Sequence, residues 1–203
     1  MGQSLPKDSL ILYKNRPARI LQPGDKLDIE TDSGKTAKVR PKDVTLLHPG
    51  PVKNLLGLTP PPGDVETAWE LLAGQTTSLA ELAELIFDEF TPATAWAVWQ
   101  LLDDGLYFRG SITEIEARLP EDVEKTQADR QAKAREKQAR ADFLARVQAG
   151  QFSPEQDAGY LQDVEAVAFG LQDKSWVLRE LGRTQSPESA HALLLKLGVW
   201  DET

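Results

Sequence analysis

The sequence predicts a mixed α+β fold, mostly α: a small β-barrel, a winged helix-like domain, a long polar helix and a C-terminal helical module, in that order along 203 residues. Three observations carry this. Residues 8–47 are short runs of alternating polar and apolar residues, broken by Pro-Gly and Ser-Gly turns, as strands with one buried face are. Residues 64–118 and 150–203 place apolar side chains at helical spacing between recognisable caps. Between those stretches, residues 121–148 hold no glycine or proline, and no apolar side chain larger than alanine occurs between Val123 and Phe143.

Composition narrows the function classes. Hydrophobic residues at 40% and charged residues at 27% suit a globular chain rather than a disordered one. The absence of cysteine excludes disulfides, thiolate metal sites and a cysteine nucleophile. His48 and His191 are the only histidines, too few for a multi-histidine metal centre. No apolar run approaches the roughly 18 residues of a membrane span, and the start, MGQSLPKDSLILYKN, lacks the basic and then apolar stretch of a signal peptide. A cytoplasmic protein without a membrane partner is expected. The net charge of −9 argues against a uniformly basic nucleic-acid binder, but it is unevenly spread. Residues 1–54 carry net +4, residues 55–118 net −9, residues 119–148 net +1 and residues 149–203 net −5.

In the first module, residues 8–47, Ser9–Lys14 is a β-rich run stopped by Asn15-Arg16-Pro17. Ala18–Leu21 follows and ends in Gln22-Pro23-Gly24-Asp25. Lys26–Thr31 and Lys35–Arg40 alternate about Asp32-Ser33-Gly34, where glycine accepts the positive φ of a tight hairpin. Pro41-Lys42-Asp43 turns into Val44–Leu47. Four or five short strands make a small curled sheet or barrel. Lys14, Arg16, Arg19, Lys26, Lys35, Lys38, Arg40 and Lys42 supply one possible phosphate-binding surface, with Lys14, Arg16, Arg19, Lys35, Lys38, Arg40 and Lys42 as the candidate RNA contacts. The alternative is that they keep exposed strand edges soluble. Tyr13 is the only aromatic residue here, which gives no support to a platform of stacked bases.

Residues 48–63 form a proline-rich linker in which Pro49, Pro51, Pro60, Pro61 and Pro62 favour an extended path, and His48 reads as a turn residue rather than a ligand. In residues 64–118, Asp64 caps a first helix, and Ser78-Leu79-Ala80-Glu81 is a capping box opening a second. Thr91-Pro92 starts a third, rich in apolar surface at Trp96, Trp99, Leu101 and Leu102, before Asp103-Asp104-Gly105 stops it. A strand and turn at Leu106–Gly110 complete a winged-helix pattern. Such folds read DNA with the third helix. Here, Thr91–Asp104 has no Lys or Arg and two Asp, so phosphate repulsion would go uncompensated. The expectation is a packing or protein-contact module, with Trp69, Trp96 and Trp99 in its core.

Residues 120–148 read as a solvated spacer helix, docked at its end by Phe143, Leu144 and Val147. Without an apolar a/d seam, self-pairing as a coiled coil is not expected. Arg130, Lys133, Lys137 and Arg140 fall at helical spacings as a solvated or acid-contacting face. In residues 150–203, Ser153-Pro154-Glu155 opens a helix to about Phe169, a second runs from Trp176 to Leu181, and Ser186-Pro187-Glu188 opens a third ended by Gly198. His191 reads as a surface or edge residue.

The order of these pieces, together with Leu10–Ala18, Val39–Pro51, Glu84–Trp96 and Leu106-Tyr107-Phe108, resembles the N-terminal region of ribonuclease II-type exoribonucleases of the cyanobacterial kind. That resemblance implies a family that hydrolyses RNA from the 3′ end, with magnesium held by aspartates spaced D-x-x-x-x-x-D-x-D-D. This chain lacks the cluster: Leu101 and Ala95 stand where upstream aspartates would precede Asp103-Asp104, and Asp122 has only Glu121 and Glu124 nearby. No catalytic residue carries over, no cofactor is expected in this chain, and no hydrolysis is expected from it alone. The resemblance makes it an accessory region that guides or gates RNA, whose partner is the missing nuclease domain or another protein. The reading frame is then a fragment or a free-standing accessory protein. The alternatives are a winged-helix DNA-binding regulator and a protein-interaction adaptor using acidic residues 55–118.

Overall fold

The computed structural model describes residues 5–201. It divides into two units between Gln127 and Ala128. In the first unit, β1 (Leu10–Tyr13), β2 (Arg16–Gln22), β3 (Leu27–Thr31), β4 (Thr36–Val39) and β5 (Thr45–His48) form one antiparallel sheet in the order β4-β3-β2-β1-β5. Lys14 and Asn15, at φ 50° and 60°, join β1 to β2 with Tyr13 opposite Arg16. Two successive left-handed residues make the hairpin turn whose twist matches right-twisted strands. Asparagine takes this conformation readily; lysine does so at a cost.

The strands do not close into a barrel. Among the described residues no pairing joins β4 to β5, so the sheet stays open. β4 is four residues long and is followed by Arg40 and then a 3₁₀ turn at Pro41–Asp43, which carries the chain to the far edge beside β1. Proline cannot donate to a further ladder, so pairing stops there. One sheet face buries Ile11, Ala18, Ile20, Leu27, Ile29 and Val39 together. The other contributes Leu10, and with it Leu47 and Val52, to the core of the next module.

The proline-rich segment is strapped onto the sheet. The Val52 amide donates to Asp8 O at 2.8 Å, and Ser9 Oγ donates to Pro49 O at 3.2 Å. Gly50 lies where this strap passes the residues just before β1; its φ is 93°, and a Cβ there would collide with the Asp8 carbonyl. Asn54 caps a 3₁₀ turn at Leu55–Gly57 by accepting from the Leu56 amide. His48 does more than turn the chain: it is buried, its Nδ1 accepts from the Gly50 amide at 2.9 Å, and its Nε2 lies 3.2 Å from Phe90 O. With Nδ1 accepting, Nε2 carries the hydrogen and donates to Phe90. Burial lowers the His48 pKa, against the opposing effect of that backbone hydrogen bond.

The winged helix comprises α1 (Val65–Leu72), β6 (Thr76–Thr77), α2 (Leu79–Phe87), α3 (Pro92–Asp104), β7 (Phe108–Ser111) and β8 (Glu114–Ala117). Asp64 caps α1, and Ser78 and Glu81 form the capping box of α2. Thr91 caps α3 with Thr94, not an acid, as the reciprocal partner. β6 pairs with β8, and β8 with β7. The fully buried Leu82, Ala83, Ala95, Val98, Phe108 and Ile115 meet in its core, with Trp69, Trp96 and Trp99 packed partly buried around them. Trp69 Nε1 donates to Arg118 O at 2.7 Å, the satisfied polar tip of a packing tryptophan.

α4 (Pro120–Gln148) crosses from the first unit into the second. The second unit adds α5 (Pro154–Ala168), α6 (Trp176–Glu180) and α7 (Pro187–Lys196). Phe143 and Val147 dock the end of α4 onto Leu161, Val164, Val177, Leu178, Leu193 and Leu194. Ser153 sits at the α5 N-terminus without making a side-chain cap. Instead, the fully buried Asp157 accepts from the Ser153 amide at 3.0 Å and from Arg146 Nε at 3.2 Å. Burial pushes the Asp157 carboxyl up, but the Arg146 and Ser153 hydrogen bonds win and hold it below the usual range. Among the described residues, no helix is long and apolar enough to cross a membrane.

Candidate nucleic-acid interface

The basic residues of the sheet do not form one surface. Four have acidic partners. Arg16 Nη2 lies 2.7 Å from Asp32, Lys38 3.6 Å from Asp28, Arg40 Nε 2.9 Å from Asp43, and Arg19 Nη2 2.8 Å from Glu30. Arg19 also donates to the carbonyls of Val52 and Lys53, at 3.3 and 2.8 Å. It is largely covered and holds the strap to the sheet. Lys38 lines a separate depression beside Leu21, Gln22 and Asp28. Arg40 precedes and Lys42 lies within the 3₁₀ turn after β4.

Lys14, Arg16 and Lys35 do come together. The two hairpin tips, at Lys14-Asn15 and Asp32–Lys35, flank a groove of about 350 Å³ walled by Tyr13, Pro17, Ala18, Thr31 and Ala37 as well as those three cations. Among the described residues, Lys14 and Lys35 make no ion pair, and Lys14 Nζ lies 5.3 Å from the Tyr13 ring centre. Arg16 is held by the half-buried Asp32, which also lines the groove, through Nε at 2.8 Å and Nη2 at 2.7 Å, so a phosphate reaching Arg16 has to compete with that carboxylate. The half-exposed Tyr13 ring adds a flat apolar wall between cations. A groove with cations on its rim and one aromatic face suits single-stranded nucleic acid, whose phosphates need charge and whose bases need a surface. Sequence reading picks out these three lysine and arginine residues but not their convergence. The signal was Lys14-Asn15, a pair whose left-handed turn folds the tip over Tyr13.

The winged helix presents the opposite chemistry. α3 packs against β5. Trp99, Leu102 and Asp103 share a cleft with Leu12, Asn15 and Thr45 of the sheet and with Gly110–Ile112 of the wing. Trp96 and Trp99 stack with ring centres 4.9 Å apart. The exposed side chains of α3 are Gln100, Asp103 and Asp104, with no cation among them. The wing's Arg109 is 2.6 Å from Glu116, and Arg118 donates to the carbonyls of Gly105, Leu106 and Asp122. On α4, Arg140 pairs with Glu136 at 2.6 Å and lies over Trp176. Lys133 and Lys137 are exposed.

Among the described residues, no group of three or more histidine, aspartate or glutamate side chains is placed to hold a metal ion. The nearest sequence candidate does not fit one either: Asp103 and Asp104 are exposed at the end of α3, and Asp104 Oδ2 accepts from the Leu106 amide at 3.3 Å.

Residues 61–122 match the winged helix domain of ribonuclease II, and residues 123–203 match a double helix–turn–helix domain of the same enzyme family. The chain is also similar to an uncharacterized ribonuclease of the cyanobacterium Synechocystis, 27% identical over 224 residues. That alignment covers 97% of this chain and 34% of the relative, so the chain spans about a third of the length of the curated relative it matches. No solved structure matches it. Fold and comparisons together define a chain of winged-helix and helix–turn–helix modules that follow a small antiparallel sheet. The chain belongs to the ribonuclease II family and corresponds to its N-terminal winged-helix and helix–turn–helix region.

Proposed function

We propose that the chain is an accessory region that guides single-stranded RNA into a ribonuclease II-type 3′–5′ exoribonuclease, with the magnesium-dependent hydrolysis carried out by a catalytic domain outside these residues. The observation that carries this reading is the groove in which Lys14, Arg16 and Lys35 meet beside Tyr13. The similarity to a ribonuclease makes RNA the polyanion of choice. Guidance needs sequence-independent contacts, which unpaired lysines supply to phosphates without reading bases. The acidic winged helix cannot serve as a second phosphate surface: residues 55–118 hold 11 acids, and their only cations, Arg109 and Arg118, are already engaged.

The test is fluorescence anisotropy of the purified chain with a labelled single-stranded oligoribonucleotide at low salt, beside a Lys14→Ala/Lys35→Ala variant. Binding that weakens about tenfold in the variant, with a shallower salt dependence, is expected. Equal binding by both proteins, or none by either, refutes the assignment. Degradation of the RNA on adding magnesium would refute the accessory role.

The even acidity of the winged helix favours a second reading, that this module docks a basic protein surface. Crosslinking of residues 64–118 to a protein that requires no RNA would favour it.

A further inference from the structure

The helical unit contains a cleft that neither the RNA-guiding reading nor the comparisons use. Gln148 at the end of α4, Arg183 after α6 and Lys196 at the end of α7 surround a cleft of about 170 Å³, whose remaining lining is Val147, Leu181 and Leu193. Val147 and Leu193 belong to the unit's buried core, so the cleft floor is apolar. Among the described residues no carboxylate lines it.

The other arginines of this unit with ion pairs are neutralised. Arg146 meets Asp157, Arg140 meets Glu136, and Arg179 meets Glu180 at 3.1 Å. Arg183 and Lys196 make no ion pair and no side-chain hydrogen bond among the described residues. Arg183 is moreover partly buried, where a guanidinium without a partner is costly. Two like charges converging on one small apolar-floored cleft repel each other, and the repulsion is stronger there than in open water. An anion in the cleft removes both penalties. The planar guanidinium fork suits two oxygens of one tetrahedral group, the ammonium adds a point charge, and the Gln148 carboxamide adds a donor.

We propose that Arg183, Lys196 and Gln148 form a binding site for a phosphate group. That group comes either from a nucleic-acid backbone or from a free mononucleotide or inorganic phosphate. The site is independent of the sheet groove, lies wholly in the second unit, and needs no base recognition.

The test is nuclear magnetic resonance of the isotope-labelled full chain, observing the Arg183 Nε–H and Gln148 side-chain amide signals. Inorganic phosphate, adenosine monophosphate and a short single-stranded oligoribonucleotide are titrated separately, with chloride at equal ionic strength as control. Saturable movement of both signals is expected, with an affinity about tenfold weaker in Arg183→Gln and in Lys196→Gln. Both side chains reach the surface, so these variants keep the fold, and the unchanged remainder of the spectrum checks it. Response to the oligonucleotide at lower concentration than to the small anions assigns the site to a nucleic-acid backbone. The reverse order assigns it to a free phosphate compound. Signals that move no more than with chloride, or affinities unchanged in both variants, overturn the proposal. RNA binding that survives through Lys14 and Lys35 while these signals stay still overturns this site alone.

Discussion

The β1–β2 hairpin tip and helix α3 both occupy positions where a nucleic acid could be met, and they differ in every property that decides the matter. The tip is exposed, carries Lys14, which makes no ion pair among the described residues, and stands beside Lys35 and Tyr13. α3 holds the place that in a winged helix reads the major groove, yet it packs on β5, buries Ala95, Ala97 and Val98, and exposes only Gln100 and two aspartates as polar contacts. The topology of a DNA reader is thus kept while its reading surface is used for packing. A fold states where a site could be; charge and exposure state whether one is there.

The largest expected effect tests whether the two regions are one folding unit. Leu10 lies in the sheet but belongs to the core of the winged helix. Leu10→Ala should cost about 2–5 kcal/mol, the usual range for a fully buried leucine. Sheet and winged helix should then melt in one transition, with Trp96 and Trp99 fluorescence and far-ultraviolet circular dichroism falling together. A sheet that melts alone, leaving the tryptophan signal in place, would separate the regions.

A smaller effect contrasts this apolar joint with the polar joint of the second unit. Asp157 is fully buried between Arg146 and the Ser153 amide. Asp157→Asn should cost about 1–3 kcal/mol, because Arg146 loses its partner but keeps access to solvent. The pH dependence has a definite sign. The folded carboxyl titrates below the unfolded one, so its stabilisation is complete above roughly pH 4, where the unfolded group ionises, and is lost as pH falls through the folded value. The variant should unfold with a flatter acid limb. An unchanged limb would show that Asp157 is not the titrating joint. Below this in size comes Lys14→Ala/Lys35→Ala, whose expected tenfold loss in RNA affinity is matched against Gln100→Ala on α3, where no loss is expected.

Much of this contrast was legible in the sequence, and the reasons it was legible explain what was not. Caps are local: Asp64, Ser78 with Glu81, Thr91-Pro92 and Ser186-Pro187 each announce a helix from a few neighbouring residues, and all four stand where those residues put them. The missing cations of α3 are likewise visible in one short stretch. What depends on distant partners was not visible. The sheet reads as a barrel because strand spacing says nothing of whether β4 meets β5. Ser153 reads as a cap, while its amide is held by Asp157 of the same helix, which Arg146 of α4 fixes in place. His48 reads as a turn because its partner, Phe90 O, lies 42 residues away. Seven cations look equivalent on the chain, yet among the described residues their acids are cross-strand neighbours for some, while Lys14 and Lys35 make no ion pair.

The smallest predicted effect separates the architecture of the tip from its use. Lys14 holds φ at 50°, where an L-residue other than asparagine or aspartate is strained. Glycine has no such penalty but loses more backbone freedom on folding. Lys14→Gly should therefore leave the chain equally stable or raise stability by about 0.5–1 kcal/mol, the relief of strain less the added entropy. In the same variant, RNA affinity should fall. Stability and binding moving in opposite directions would mark Lys14 as a residue kept for its amine against the preference of its own backbone. If both fell together, the lysine would be holding the turn through its stem on Tyr13, and the comparison between an exposed basic tip and a covered acidic helix would lose its principal cation.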